Sequence, residues 1–135
     1  MAPTPRITLL VASLHVLFYL LLSMRVMLHR KAQRIGVGTG GDEVMTRRVR
    51  VHGNFAEYVP LALLMLALLE LAGTAAAVVW TCGLVLLLAR LAHAIGLGGS
   101  AGYSAGRFGG TLLTLAVLLA MALLGLWRFL AQAAL

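Results

Sequence analysis

Charge is scarce in this chain. Only 11% of its 135 residues are Asp, Glu, Lys or Arg, 61% are hydrophobic, and the mean hydropathy is +0.99. A water-soluble domain of this length needs far more charge to cover its surface, so a soluble globular class is excluded. Cysteine is almost missing too. The one residue, Cys82, cannot form an internal disulfide, and within an apolar run it reads as a small buried side chain rather than a reactive thiol. No pair of residues has the HxxxH or CxxC spacing of a zinc site, so no metal is expected. No Ser, His and Asp set suggests a nucleophilic triad.

What the chain does have is long uncharged blocks. Ile7–Leu28 holds one charge, Arg25, near its end, while Val59–Leu69, Ala72–Ala89 and Leu112–Trp127 hold none. A membrane span needs about 20 mostly apolar residues. The first and third blocks come close to that unaided; the second and fourth reach it by taking in Arg50–Glu57 and Arg107–Thr111. The expectation is an all-α, integral membrane four-helix bundle, a single domain over residues 1–135, with helices at 7–30, 43–71, 74–95 and 103–131. The amino-terminal run is too long for a secretory signal and lacks a small-x-small cleavage site, so it reads as a retained first helix.

The basic residues are unevenly placed. Arg25, Arg30, Lys31, Arg34, Arg47, Arg48 and Arg50 flank the first connection, and Arg90 and Arg107 the third; Arg6 and Arg128 lie alone at the other end. By the positive-inside rule this predicts cytoplasmic first and third loops and both termini on the opposite, periplasmic side. The pI near 11.2 is then a topology signal beside anionic lipid, and nucleic acid is not an expected partner. In the first loop Gly36, Gly38 and Gly41 match GxGxxG spacing, but a dinucleotide site needs a preceding strand and a βαβ unit. A membrane helix precedes this one, so a flexible turn is expected, with Asp42 capping the second helix. Gly102, Gly106 and Gly110 recur every fourth residue, a small-residue face suited to close helix packing.

Charges inside a membrane cost roughly 2.5–3.5 kcal/mol each near the centre of a lone helix, which makes the polar residues informative. Arg47, Arg50, Asn54 and Glu57 follow a 3, 4, 3 spacing that puts them on one helical stripe. Glu57 falls about two turns, roughly 10 Å, beyond Arg50. Pro60 removes the hydrogen bond to the Ala56 carbonyl and predicts a kink beside Glu57. Arg90 and His93 share a face near the end of helix 3, and helix 4 opens with Arg107. Arg47 and Arg48 read as interfacial arginines. Arg50, Asn54 and Glu57 read either as a binding site or as helix–helix hydrogen bonds.

Together the helices bring Arg25 or Arg30, Arg50, Asn54, Glu57, Arg90, His93 and Arg107 to one level. Guanidiniums hold carboxylates bidentately, and a carboxylate holds an amine. A further arginine is free to stabilise a thiolate, the nucleophilic form of a thiol. Glutathione carries two carboxylates, one amine and one thiol; other zwitterions fit the same residue list.

The run Arg50-Val-His-Gly-Asn54-Phe-Ala-Glu57-Tyr58-Val-Pro60-Leu61 resembles the second-helix signature of the MAPEG family, the membrane-associated proteins of eicosanoid and glutathione metabolism. Arg90-Leu-Ala-His93 is similar to the family's third helix, and the wording HGNFAEYVP looks closest to its bacterial, inner-membrane branch. The resemblance covers the whole chain in architecture and about twenty residues in detail.

It implies a homotrimer with glutathione, as co-substrate, bound between subunits at the cytoplasmic side. Arg50, Asn54, Glu57 and Tyr58 would hold glutathione, with Arg30 from helix 1 and Arg90 and His93 from helix 3. Arg107 would lie beside the thiol and stabilise its thiolate. The implied reaction is conjugation to a lipophilic electrophile from the bilayer, or thiol-dependent peroxide reduction.

The chain departs from the family where many synthases carry a glutathione-binding tyrosine. Leu97 stands there, and Tyr103 comes six residues later. A non-catalytic protein of the same fold is therefore the alternative. A small multidrug transporter would need an acid in the middle of helix 1, where this chain has none. Glu70, at the far end of helix 2, reads as an interfacial carboxylate without an assigned role.

Overall fold

A computed structural model of the chain describes residues 4–99 and 104–133. Among these it forms four helices, α1 (Arg6–Gln33), α2 (Glu43–Leu71), α3 (Ala76–Gly99) and α4 (Ala105–Ala133), and no strand. Each contains a stretch long and apolar enough to cross a membrane. At 1.5 Å per residue they reach about 36–43 Å, longer than a hydrocarbon core of about 30 Å.

Local chemistry sets the helix ends. Asp42, in extended backbone, accepts the Met45 N–H at 2.7 Å and so caps α2, while its other oxygen meets His29 Nε2 at 3.1 Å. The Met45 amide, with help from His29, holds the Asp42 carboxyl below the usual carboxylate range. Arg34 closes α1 in the left-handed region (φ 54°), and the Ile35 N–H returns to the Arg30 carbonyl. The glycine-rich loop then turns through positive φ at Gly38, Gly40 and Gly41, which side chains would resist. A turn between membrane-length helices is its whole structure. Pro60 is accommodated within α2, which runs unbroken from Glu43 to Leu71.

The helices pack around two linked apolar clusters. Val11, Ala62, Leu66, Leu69, Val79, Leu86, Val117 and Met121 form one; Leu22, Val51, Phe55, Val59, Ala94 and Leu97 form the other, nearer the arginine-rich end. Large apolar side chains also point outward from every helix, among them Leu17, Leu61, Leu88 and Leu119. That exterior suits lipid rather than water.

α3 and α4 make the most extensive contact, α1 lies against α2, and α1 does not reach α4. The α3–α4 contact is backbone to backbone. A Cβ on Gly106 would sit 2.9 Å from the Ala92 carbonyl oxygen, and one on Gly110 only 2.5 Å from that of Ala89. Gly102, the third residue of the expected small-residue face, lies outside the described residues, as does Tyr103.

α3 continues to Gly99 rather than stopping at Ile95. Leu97 is buried in the second cluster, and this burial outweighs the low helix propensity of Gly96, Gly98 and Gly99. α4 is described from Ala105 rather than from 103.

The end away from the arginines is organised by two side chains. Both Glu70 oxygens accept backbone N–H groups of α1, Oε1 from Ile7 at 2.9 Å and Oε2 from Thr8 at 2.7 Å. Glu70 thus supplies from α2 the acceptors that the first turn of α1 lacks. The Arg128 guanidinium donates to the Ala72 carbonyl just after α2. Glu70→Ala is expected to lower the unfolding midpoint in detergent by an amount equivalent to about 1–2 kcal/mol, the usual worth of a helix cap. A midpoint within error of the parent would remove this role.

Candidate functional site

The stripe on α2 meets α3 and α4 at the arginine-rich end. There Thr46, Arg47, Arg50 and Asn54 from α2, His93 and Leu97 from α3, and Arg107 from α4 line a cleft of about 230 Å³. Arg50 and Arg107 are exposed, Asn54 is half-buried and His93 is 4% exposed. The opening therefore carries exposed guanidiniums, and the floor carries an amide and an imidazole.

Arg90 stands behind this floor, 1% exposed. Its Nη1 donates to Asn54 Oδ1 at 2.7 Å, its Nη2 donates to the Gly110 carbonyl at 3.2 Å, and its guanidinium lies 5.7 Å from the Tyr58 ring centroid. A buried guanidinium needs acceptors for its donors. Here one comes from α2 and one from the backbone of α4, while Nε finds none among the described residues, and a single side chain of α3 ties three helices together. Fixing Asn54 Oδ1 as an acceptor also turns its amide N–H groups away from Arg90. The Gly110 oxygen accepts from Thr114 Oγ1 as well, at 2.7 Å. It can be approached so closely because Gly110 puts no side chain between the helices.

Arg107 occupies the first turn of α4, where Ser104 Oγ accepts its backbone N–H at 3.2 Å. A basic residue at a helix N-terminus opposes the helix dipole. No acid balances it in that turn. The guanidinium and the positive helix end both favour an anion in the same part of the cleft.

Of the residues expected at the site, the structure joins Arg50, Asn54, His93 and Arg107 around one opening, with Arg90 and Tyr58 as its support. It does not bring Arg30 or Glu57 there. Arg30 lies in the last turn of α1 and reaches the Gly36 carbonyl at 3.5 Å. Glu57 is exposed on α2, two turns beyond Arg50. Arg25 lines a different pocket. Two lining residues escaped the sequence reading. Thr46 carried no signal, whereas Arg47 fell on the stripe yet read as interfacial. Among the described residues no group of His, Cys, Asp and Glu could hold a metal ion.

A model of the MAPEG family matches residues 8–127. The chain is also 34% identical over 90 residues to the inner membrane protein YecN of Escherichia coli K12, covering 67% of this chain and 69% of that protein. The YecN of Escherichia coli O6:H1 matches to the same extent. The family match runs from the first turn of α1 almost to the end of α4, across all the cleft residues, and the chain therefore belongs to the MAPEG family of membrane proteins.

Proposed function

We propose that the protein is a glutathione-dependent transferase or peroxidase of the inner membrane, acting on a lipophilic electrophile. The observation that carries this reading is the convergence of Arg50, Asn54, His93 and Arg107 on one cleft at the arginine-rich end. Arg50, with Arg47, would take glutathione's carboxylates, and the Asn54 amide would donate to its backbone. The thiol would sit by Arg107, where the guanidinium and the α4 N-terminus lower the cost of the thiolate. Thiol deprotonation would release its proton to solvent at the open mouth. The sulfur lone pair would then form the bond to the electrophilic carbon, while the displaced pair departs with the leaving group or, in conjugate addition, shifts from the π bond onto the activating group, which takes up a proton from solvent. In the peroxidase variant two thiols supply two electrons, giving disulfide, alcohol and water.

The proposed assembly is a homotrimer. Arg30 and Glu57 lie on the outside of a single chain, and glutathione bound between neighbours would use such residues from a second copy. Glu57 is the carboxylate available there for the ammonium group. Nine basic residues at one end against two at the other support a cytoplasmic cleft and periplasmic termini.

One observation favours the second reading, a non-catalytic MAPEG protein: Leu97 puts an apolar wall in the cleft where the related synthases have a hydroxyl. Calorimetry of glutathione with the detergent-purified protein separates binding from its absence. Binding is expected in the parent, weakened at least tenfold by Arg50→Ala and by Glu57→Ala. No heat at millimolar glutathione would overturn the thiol-enzyme reading.

A further inference from the structure

A second, smaller pocket lies beside the cleft, between α1, α2 and the end of α3. Leu22 and Arg25 from α1, Val44, Arg47, Arg48 and Val51 from α2, and Gly98 from α3 line its volume of about 120 Å³. That is about half the volume of the cleft, and enough for one small tetrahedral oxyanion. Only Arg47 is shared with the cleft.

Three arginines line the pocket and no carboxylate does. Among the described residues Asp42 is engaged by His29 at 3.1 Å, and Glu43 stands 3.7 Å from Arg47 with its side chain 87% exposed. Glu57 is exposed farther along α2, and Glu70 is at the opposite end of the bundle. The guanidinium charge in the pocket is thus largely uncompensated.

The donors are also held ready. Arg48 Nη1 donates to the Arg25 carbonyl at 2.9 Å, which fixes the Arg48 side chain across the α1–α2 gap. Among the described residues the Nε atoms of Arg47 and Arg48 are buried without an acceptor, as are those of Arg90 and Arg128 elsewhere in the bundle. A buried N–H left without an acceptor is costly, and an arginine fork suits the oxygens of a phosphate.

Depth supplies the last constraint. No Asp, Glu, Lys or Arg occurs between Arg6 and Arg25, so Arg25 marks the level where the apolar length of α1 gives way to polar surroundings. Lipid phosphates lie at that level.

We infer that the pocket framed by Arg25, Arg47 and Arg48 is a binding site for a phosphate group, that of an anionic lipid headgroup or free phosphate. Arg47 is shared with the proposed glutathione cleft, whereas Arg25 and Arg48 line this pocket alone, so the assignment rests on those two.

The test is native mass spectrometry of delipidated protein titrated with phosphatidylglycerol or phosphatidylcholine, with inorganic phosphate as competitor. Saturable phosphatidylglycerol binding is expected, at least tenfold tighter than phosphatidylcholine. It should weaken at least tenfold in Arg48→Gln and in Arg25→Gln, and less than twofold in Lys31→Gln, which removes an exposed charge outside the pocket. Arg25 is exposed, so its variant keeps the test valid should Arg48→Gln disturb the α1–α2 contact. Competition by millimolar inorganic phosphate would assign the site to phosphate from either source; binding that resists it would assign the lipid headgroup. Equal binding of the two lipids, or equal loss in all three variants, would overturn the inference in favour of a diffuse basic surface.

Discussion

Gly110→Ala should lower the stability of the bundle by about 3 kcal/mol, the upper end of what overpacking typically costs. The added methyl would lie 2.5 Å from the Ala89 carbonyl oxygen, 2.7 Å from the His93 nitrogen and 2.9 Å from the His93 Cβ. Two of these are backbone atoms, so no rotamer change relieves the clash; α3 and α4 have to separate. Separation strains the Arg90 and Thr114 hydrogen bonds to the Gly110 carbonyl, and with them the support behind Asn54. The damage thus reaches the site as well as the fold. Gly109→Ala provides the contrast, because a Cβ there meets nothing within 4 Å. Its only effect should be the gain in helix propensity, up to about 1 kcal/mol. Unfolding by SDS titration in mixed micelles would compare the two. Equal midpoints would show that the close approach of α3 and α4 has no energetic weight.

The second large effect is expected in catalysis. Arg107→Ala should reduce turnover with a glutathione-reactive electrophile about 10²–10³-fold, the range seen when a group that stabilises developing or standing negative charge is removed. Glutathione affinity should fall less than tenfold, because the carboxylate-binding residues remain. The ultraviolet absorbance of bound thiolate should disappear at neutral pH. Instability cannot imitate this result. Arg107 is exposed and opposes the α4 dipole, so its removal should leave the fold unchanged or a few tenths of a kcal/mol more stable. Retained turnover in the variant would exclude Arg107 as the thiolate partner. Absence of turnover in the parent, with glutathione bound, would favour the non-catalytic reading.

The sequence made some of this site legible and hid the rest for identifiable reasons. Arg50 and Asn54 could be read together because a spacing of four returns to the same helical face about one turn on. Glu57 keeps the face but lies nearly another turn, about 4.5 Å, beyond Asn54, and it is not among the residues lining the cleft of this chain. Arg90 was visible as a charge inside an apolar helix, but its purpose depends on partners 36 and 20 residues away. One of these is a backbone carbonyl, which no residue pattern announces. A close helix contact on α4 could be anticipated from glycine spacing, although neither its partner α3 nor the atoms that make each glycine necessary could. Glu70 was the least readable. Its partners are the amides of Ile7 and Thr8, and any residue but proline would have offered the same N–H groups.

That Glu70 contact also bears on the order in which the protein is made. The first-turn amides of α1 leave the ribosome more than 60 residues before the carboxylate that accepts from them. Through that interval these amides of α1 have no side-chain acceptor, and α2 must bring an acid to the same end of the bundle to provide one. The first two helices are completed by each other. Their natural unit of insertion is therefore the hairpin, with α1 reaching its final hydrogen bonding only when the last turn of α2 arrives.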